Sequence, residues 1–344
     1  PAAFYDKNNI QFKHGRVSAI NRAQHTLTLD NGEQLAYDKL ALCTGARVRK
    51  AALPGEGLAG VHYLRNIADV VAIQPNVAPG KRAVIIGGGY IGLETAAALR
   101  QLGLEVVVLE MAERILQRVT APELSTFYQR IHQEEGVRIY TGIAVSALCG
   151  DGRVEKVVCT NGEEFAADLV IIGIGVVPNV ELAANAGLEI DNGIVVDEFC
   201  RTSDADIVAA GDCANQFNRF YQRRLRLESV PNTGDQGKTA AATLCGQLKS
   251  YQGLPWFWSD QYDLKLQIAG LSQGYDRVVL RGDAQASRSF AAFYFRDGQL
   301  IAADCINRPQ EFMLSKKIIA EQRTIAPERL ADEGIAVKAL LAEN

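Results

Sequence analysis

No stretch of this sequence is a hydrophobic run long enough to span a membrane, and the N-terminal residues carry no signal-peptide pattern. Nor is there an excess of one charge. The 36 Lys and Arg face 40 Asp and Glu, a net charge of −4, so neither nucleic acid nor an anionic lipid surface is an expected partner. The seven cysteines include no Cys-x-x-Cys pair, which removes a zinc ribbon or a disulfide framework. They read as reduced thiols of a cytoplasmic protein with no metal site. Histidine is scarce (His14, His25, His62 and His132), and Trp256 and Trp258 are the two tryptophans. What is present is ordinary for a globular core: 48% hydrophobic and 22% charged residues over 344 positions, a length that predicts two or three domains.

The most informative stretch is Arg82-Ala-Val-Ile-Ile-Gly87-Gly-Gly89-Tyr90-Ile-Gly92-Leu-Glu94. A β-branched run feeds a glycine-rich turn, and the turn opens a helix. That context gives Gly-x-Gly-x-x-Gly its meaning as a dinucleotide site. Gly87 permits the tight turn, Gly89 the approach of a pyrophosphate, and Gly92 a close helix–strand contact. The helix N-terminus offers N–H groups to phosphates. A second strand, Glu105 to Leu109, ends in Glu110, 23 residues after Gly87. An acidic side chain there accepts the ribose 2′-hydroxyl and repels a 2′-phosphate, which predicts NAD rather than NADP.

A phrase near the N-terminus recurs later. Asn31, Gly32, Glu33, Asp38 and Gly45 match Asn161, Gly162, Glu163, Asp168 and Gly175, each 130 residues on. A repeat of this kind predicts two related dinucleotide domains in tandem. The same offset carries the glycine fingerprint of the first copy to a position before residue 1, so the sequence is expected to begin partway through that copy.

Beyond the second copy, Ile207-Val-Ala-Ala-Gly211-Asp212-Cys-Ala214 reads as a buried strand closed by an aspartate. Such a strand end is a ligand position in open α/β sheets, where Asp212 can accept hydrogen bonds from a polyol. It can equally serve as the N-cap of a following helix. Residues 234–248 read as an alanine-rich helix. After Pro255-Trp256-Phe-Trp258-Ser-Asp260-Gln-Tyr262 come strands at 264–270, 276–281 and 289–304, then helices near 309–322 and 327–342.

Taken together, Gly-Gly-Gly-Tyr-Ile-Gly-Leu-Glu, Gly-Ile-Gly-Val-Val-Pro-Asn, Ala-Gly-Asp-Cys-Ala and Pro-Trp-Phe-Trp-Ser-Asp-Gln-Tyr resemble the FAD-dependent NADH–ferredoxin reductases, of putidaredoxin reductase and dioxygenase ferredoxin reductase type. The resemblance covers essentially the whole chain. It implies a glutathione-reductase-like α/β fold with two Rossmann-type domains and a C-terminal α+β interface domain. The FAD domain would comprise 1–49 and 176–254, the NAD domain 50–175 and the interface domain 255–344. Thr44-Gly45 and Gly173-Ile-Gly175 would mark the crossings. By motif, Asp212, beside Gly211, would hold the ribityl chain and Arg65 would contact FAD. Val230 would lie under the flavin by its backbone, and Trp258 would pack near it. Tyr90 and Glu94 would line the channel where nicotinamide meets flavin, and Arg118 would reach an adenosine phosphate. Glu94 would steady the nicotinamide or the charge on reduced flavin. Read from its position alone, it is a first-turn carboxylate favoured by the helix dipole.

The implied activity is transfer of hydride from NADH to FAD and of single electrons onward to a [2Fe–2S] ferredoxin. That ferredoxin would serve a P450 or a ring-hydroxylating dioxygenase. A rubredoxin in its place, or a redox-controlled flavoprotein acting through interactions, are the alternatives. A dithiol reductase on the same scaffold needs a histidine base late in the chain, and no histidine follows His132. An acidic ferredoxin calls for a basic patch, and Arg219, Arg223, Arg224 and Arg226 lie in a run, 214–227, without a single acid.

Overall fold

The computed structural model describes residues 2–341 and divides them into two compact units. One comprises the chain up to Ala46 together with Pro178–Gly253, the other Arg47–Val177 together with the chain from Leu254. The described residues of the stretches 50–175 and 255–344, which the resemblance assigns to separate domains, therefore pack as a single unit.

In the first unit an antiparallel three-stranded sheet, Val17–Asn21, Thr26–Leu29 and Gln34–Ala36, precedes Leu40–Leu42, which pairs in parallel with Ile207–Ala209. Ile20, Leu42, Ile194, Val196, Ile207 and Ala209 form its core. Ile194–Val196 and Ile207–Ala209 are wholly apolar because each is buried along its whole length. A second sheet runs Ile194–Val196, Ala214–Asn218, Arg223–Leu225.

The second unit is built on a five-stranded parallel sheet, in the order Val61–Tyr63, Leu169–Ile172, Arg82–Ile86, Glu105–Glu110, Arg138–Thr141. The helix Tyr90–Gln101 returns across it, burying Leu93, Ala96, Ala97 and Leu99. The C-terminal part is an antiparallel sheet in the order Trp256–Gln261, Leu264–Gly270, Gln299–Ile306, Phe290–Arg296, Arg277–Arg281. The helix Pro309–Glu321 covers it through Phe312, Leu314 and Ile318.

The repeat is visible as structure. Thr26–Leu29 and Gln34–Ala36 reappear, 130 residues on, as Lys156–Cys159 and Glu164–Ala166. Both turns close alike. Gly32 N–H donates to Leu29 O at 2.9 Å and Gly162 N–H to Cys159 O at 3.1 Å. The side-chain Oδ1 of Asn31 and of Asn161 each accepts the backbone N–H two residues on, at 3.0 Å. The asparagine–glycine pair imposes this geometry, since the glycine holds φ of +84° in one copy and +87° in the other.

Three expectations are corrected. No helix follows Asp212: a tight turn at Gly211, φ +85°, leads into the strand Ala214–Asn218, so Asp212 is not a helix N-cap. The alanine-rich helix spans Val230–Leu244, four residues early, because Ser229 Oγ accepts the Asn232 N–H as N-cap and Pro231 suits the first turn. The last helix is broken: Pro327–Ala331 is α-helical and Val337–Leu341 is a 3-10 turn, with a bend at Asp332–Gly334 between them. Its expected end at 342 lies outside the described residues. Among those, no helix is long and apolar enough to cross a membrane.

Candidate functional site

The glycine turn is built by close packing. A Cβ at Gly87, where φ is +112°, would stand 2.4 Å from Gly173 O, so the turns that end two adjacent strands touch. A Cβ at Gly92 would stand 2.0 Å from Gly87 O, which lets the helix lie directly on the turn. Gly89 is different. It is the helix N-cap, no side chain caps the helix there, and nothing lies within 4 Å of its Cβ direction. An uncapped twelve-residue helix opening on free space suits a dinucleotide phosphate. Gly175, φ +98°, also faces open space.

Glu110 sits at the end of the next strand, and its carboxylate already braces the turn. Oε2 accepts Gly88 N–H at 2.6 Å and Oε1 accepts Ala112 N–H at 2.7 Å. Each oxygen keeps a second lone-pair direction, open to a further hydrogen-bond donor. Arg118 is exposed in the loop beyond.

Tyr90 and Glu94, one turn apart, share a face of the helix that packs on the strand Trp256–Gln261. The Tyr90 ring meets the Phe257 ring edge-on at 5.0 Å, and its hydroxyl is buried without a hydrogen-bond partner. Burial, and then the negative charge of Asp304, push that phenol well above its ordinary pKa. Glu94 Oε1 accepts the Ser259 hydroxyl at 2.5 Å. Burial raises its pKa, with the Ser259 bond opposing. Strand alternation sets Phe257 and Ser259 toward Tyr90 and Glu94 and turns Trp256 and Trp258 to the other face. There Trp256 packs against Phe312, with centroids 5.7 Å apart, and Trp258 is 43% exposed. The structure thus joins Tyr90 to Glu94 and keeps Trp258 apart from both. Ser259, which sequence reading passed over, is the residue that meets Glu94.

In the first unit Thr44 and Gly45 are pinned to the returning chain. Thr44 Oγ1 donates to Asn179 O at 2.6 Å, Asn179 Nδ2 to Thr44 O at 2.8 Å, and Asn179 N–H to Gly45 O at 2.9 Å. Gly211 N–H donates to Gln236 Oε1 at 2.7 Å, tying the Asp212 turn to the helix Val230–Leu244. Val230 is exposed at the start of that helix, and Gly234 and Gly237, three apart along it, face open space. Two glycines in a helix cost about 1 kcal/mol each, so room along this face is their evident use. Arg65, in the second unit, is exposed just before the capping box of Asn66 and Asp69.

The arginine run forms a β-hairpin, and it turns part of its charge inward. Arg224 Nη1 donates to the Val196 and Asn215 carbonyls at 3.2 and 3.0 Å. Arg226 pairs with Glu228 at 2.6 Å and donates to Asp212 O. Arg219, Arg223 and Arg224 are nonetheless exposed, and Arg226 is the one that is nearly covered. Among the described residues no cluster of three or more His, Cys, Asp or Glu is arranged to hold a metal.

Residues 4–237 match the pyridine nucleotide-disulphide oxidoreductase family, and residues 256–341 match the reductase C-terminal family. Putidaredoxin reductase CamA of Pseudomonas putida is 43% identical over 98% of this chain and 82% of its own length. The ferredoxin–NAD(+) reductase component of the anthranilate 1,2-dioxygenase system of Burkholderia cepacia is 41% identical over 99% of this chain and 84% of its own length. In the solved covalent putidaredoxin reductase–putidaredoxin complex, a chain with 43% identity superposes with a TM-score of 0.95, over 99% of this chain and 83% of that one. With the glycine turn, the repeat and the C-terminal sheet in place, the chain belongs to the pyridine nucleotide-disulphide oxidoreductase family, and within it to the FAD-dependent NADH–ferredoxin reductases of putidaredoxin reductase type.

Proposed function

We propose that this chain takes reducing equivalents from NADH onto FAD and passes them to a ferredoxin that feeds an oxygenase. The observation that carries the NADH step is the uncapped helix N-terminus at Gly89, with the Glu110 carboxylate at the end of the neighbouring strand. FAD, when bound, supplies the change from two-electron to one-electron transfer. The chain supplies position, electrostatics and exclusion of water.

Each residue has a part in this reading. Gly87, Gly89 and Gly92 shape the pyrophosphate seat, Glu110 accepts the adenosine ribose hydroxyls, and Arg118 reaches a phosphate. In the first unit Thr44, Gly45, Gly211, Asp212 and Val230 hold FAD. By motif Arg65 is an FAD contact and Gly175 a crossing glycine. Glu94 orients the nicotinamide, Tyr90 and Phe257 form an apolar wall beside it, and Trp258 borders the flavin. We assign 1–49 and 176–254 to FAD binding, 50–175 to NAD binding and 255–344 to the interface domain. The protein works in the cytoplasm, and the ferredoxin meets the run that carries Arg219, Arg223, Arg224 and Arg226.

The test is an anaerobic titration of the FAD-loaded protein with NADH and, separately, NADPH, followed by flavin absorbance. A ferredoxin is then added to the reduced protein. Bleaching at low NADH and recovery of the oxidised band on adding ferredoxin are expected. FAD that stays oxidised under excess NADH would overturn the reading.

A further inference from the structure

Ser259, Gln261 and His132 are almost wholly buried polar side chains, 1%, 1% and 0% exposed, in the second unit. Nothing in the reading above uses the last two. Buried polar groups of this kind are costly unless every donor finds an acceptor, and these are satisfied through one another.

Ser259 has a single hydroxyl proton, and it goes to Glu94 Oε1 at 2.5 Å. Ser259 Oγ is therefore an acceptor for its other partner, Gln261 Nε2, at 3.1 Å. With its amide nitrogen turned to Ser259, Gln261 presents Oε1 to His132 Nε2 at 2.9 Å. A carbonyl oxygen only accepts, so that imidazole nitrogen carries the proton. A neutral imidazole has one N–H, which leaves Nδ1 bare to accept the Tyr262 hydroxyl at 3.0 Å. Burial lowers the pKa of His132 and favours the neutral ring. Every proton in the chain points the same way, from Tyr262 through His132, Gln261 and Ser259 to Glu94.

We infer that Ser259 is a positioning residue for Glu94, and that the chain through Gln261 and His132 to Tyr262 fixes the direction in which Ser259 donates. The inference rests on the reading that nicotinamide meets Glu94. A glutamate on a helix has several side-chain rotamers, and a donor held from behind selects one of them before NADH arrives. His132 lies on the helix Pro122–Glu134 and Ser259, Gln261 and Tyr262 on or beside the strand Trp256–Gln261. The chain therefore ties the carboxylate to two further elements and not to its own helix alone. Gln261 in the middle makes this a fixed hydrogen-bond chain, because an amide does not relay protons as a hydroxyl or imidazole does.

A double-mutant cycle on the FAD-loaded protein tests this, with the rate of flavin reduction by NADH and the apparent dissociation constant for NADH as readouts. A hydrogen bond to a charged group corresponds to roughly a tenfold effect or more. Ser259→Ala is expected to slow reduction or weaken NADH binding by about that factor. In a Glu94→Ala background the same substitution adds nothing further. An equal penalty in both backgrounds would overturn the inference, since Ser259 would then act independently of Glu94. A second measurement needs no turnover. With four histidines in the chain, 15N-histidine labelling and a His132→Gln reference identify the His132 signal. The neutral Nε2–H tautomer is expected, and the Nδ1–H tautomer would reverse the chain and overturn the inference. Wild-type FAD that NADH does not reduce would instead sink the proposed function, with the tautomer still deciding the chain.

Discussion

Asp168 grips Arg82 at three points. Its Oδ2 accepts the Arg82 backbone N–H at 2.9 Å and Nε at 3.0 Å, and its Oδ1 accepts Nη2 at 3.1 Å. The two residues stand where the strands Leu169–Ile172 and Arg82–Ile86 begin, so the clamp sets the register of the pair whose far ends carry both glycine turns. Asp168, one of the repeated residues, is thus placed at the opposite end of the sheet from the dinucleotide turn.

The clamp should be felt in stability. The Arg82 guanidinium holds the Asp168 carboxyl down to about 2. Its partly exposed, screened position limits it, with the lost backbone partner, to about 1–2 kcal/mol. Asp168→Ala is expected to lower stability to urea by that amount at pH 7. Because the folded pKa is depressed, the stabilisation is present above the ordinary value near 3.8 and is lost as the pH falls toward 2. Urea melts at pH 7 and pH 3 should show the gap between wild type and variant narrowing in acid.

Asp304 shifts the other way. Buried, with Oδ2 accepting the Tyr294 and Thr120 hydroxyls at 2.6 and 2.7 Å, it is pushed up to about 6 by burial, the two bonds opposing. Here stability is fully present below the unfolded pKa and declines as the pH rises through the folded one. Asp304→Asn keeps an acceptor for both hydroxyls and removes the ionisation. Relative to wild type, the variant should gain about 2–3 kcal/mol between pH 4 and pH 6.5. A parallel pH dependence of the two proteins would show that Asp304 does not titrate in that window.

Gly92→Ala puts a Cβ 2.0 Å from Gly87 O, a contact that only movement of the helix or the turn relieves. The expected result is at least a tenfold loss of NADH affinity with FAD retained, read by flavin titration. Gly89→Ala places its Cβ in open space. It should leave thermal stability nearly unchanged and still weaken NADH, because the methyl stands where the phosphate approaches.

Glu110→Ala should relax the preference for NADH over NADPH by about tenfold, from the loss of the ribose acceptor and of its repulsion toward a 2′-phosphate. The carboxylate also braces Gly88 and Ala112, so a drop of about 1 kcal/mol in stability should accompany it. Glu110→Gln keeps one acceptor oxygen and removes the charge, so it isolates the repulsion toward a 2′-phosphate at the cost of one of the two braces. An unchanged NADH to NADPH ratio in both variants would remove Glu110 from the selecting role.

Much of this protein follows from local pattern. The glycine spacing after an apolar strand, the acid closing the next strand and the Asn-Gly turns repeated at 130 residues are short-range signals. Each depends on backbone conformations that few residues adopt, so the sequence alone determined the parallel sheet, the duplication and the dinucleotide turn. The aromatic phrase around Trp256 and Trp258 was legible as a distinctive stretch, though not as the strand Trp256–Gln261 that it forms. Nor was what that strand faces. That Ser259 rather than Trp258 meets Glu94 depends on which side of the strand lies against the helix Tyr90–Gln101, 165 residues away in the chain. The arginine run shows the same limit. Charge is visible in a sequence, whereas the turning of Arg224 and Arg226 onto backbone carbonyls is decided by the hairpin that carries them. The buried path from Tyr262 to Glu94 draws its members from three elements, each unremarkable by itself. Only their packing, which must satisfy every buried donor, makes them one structure.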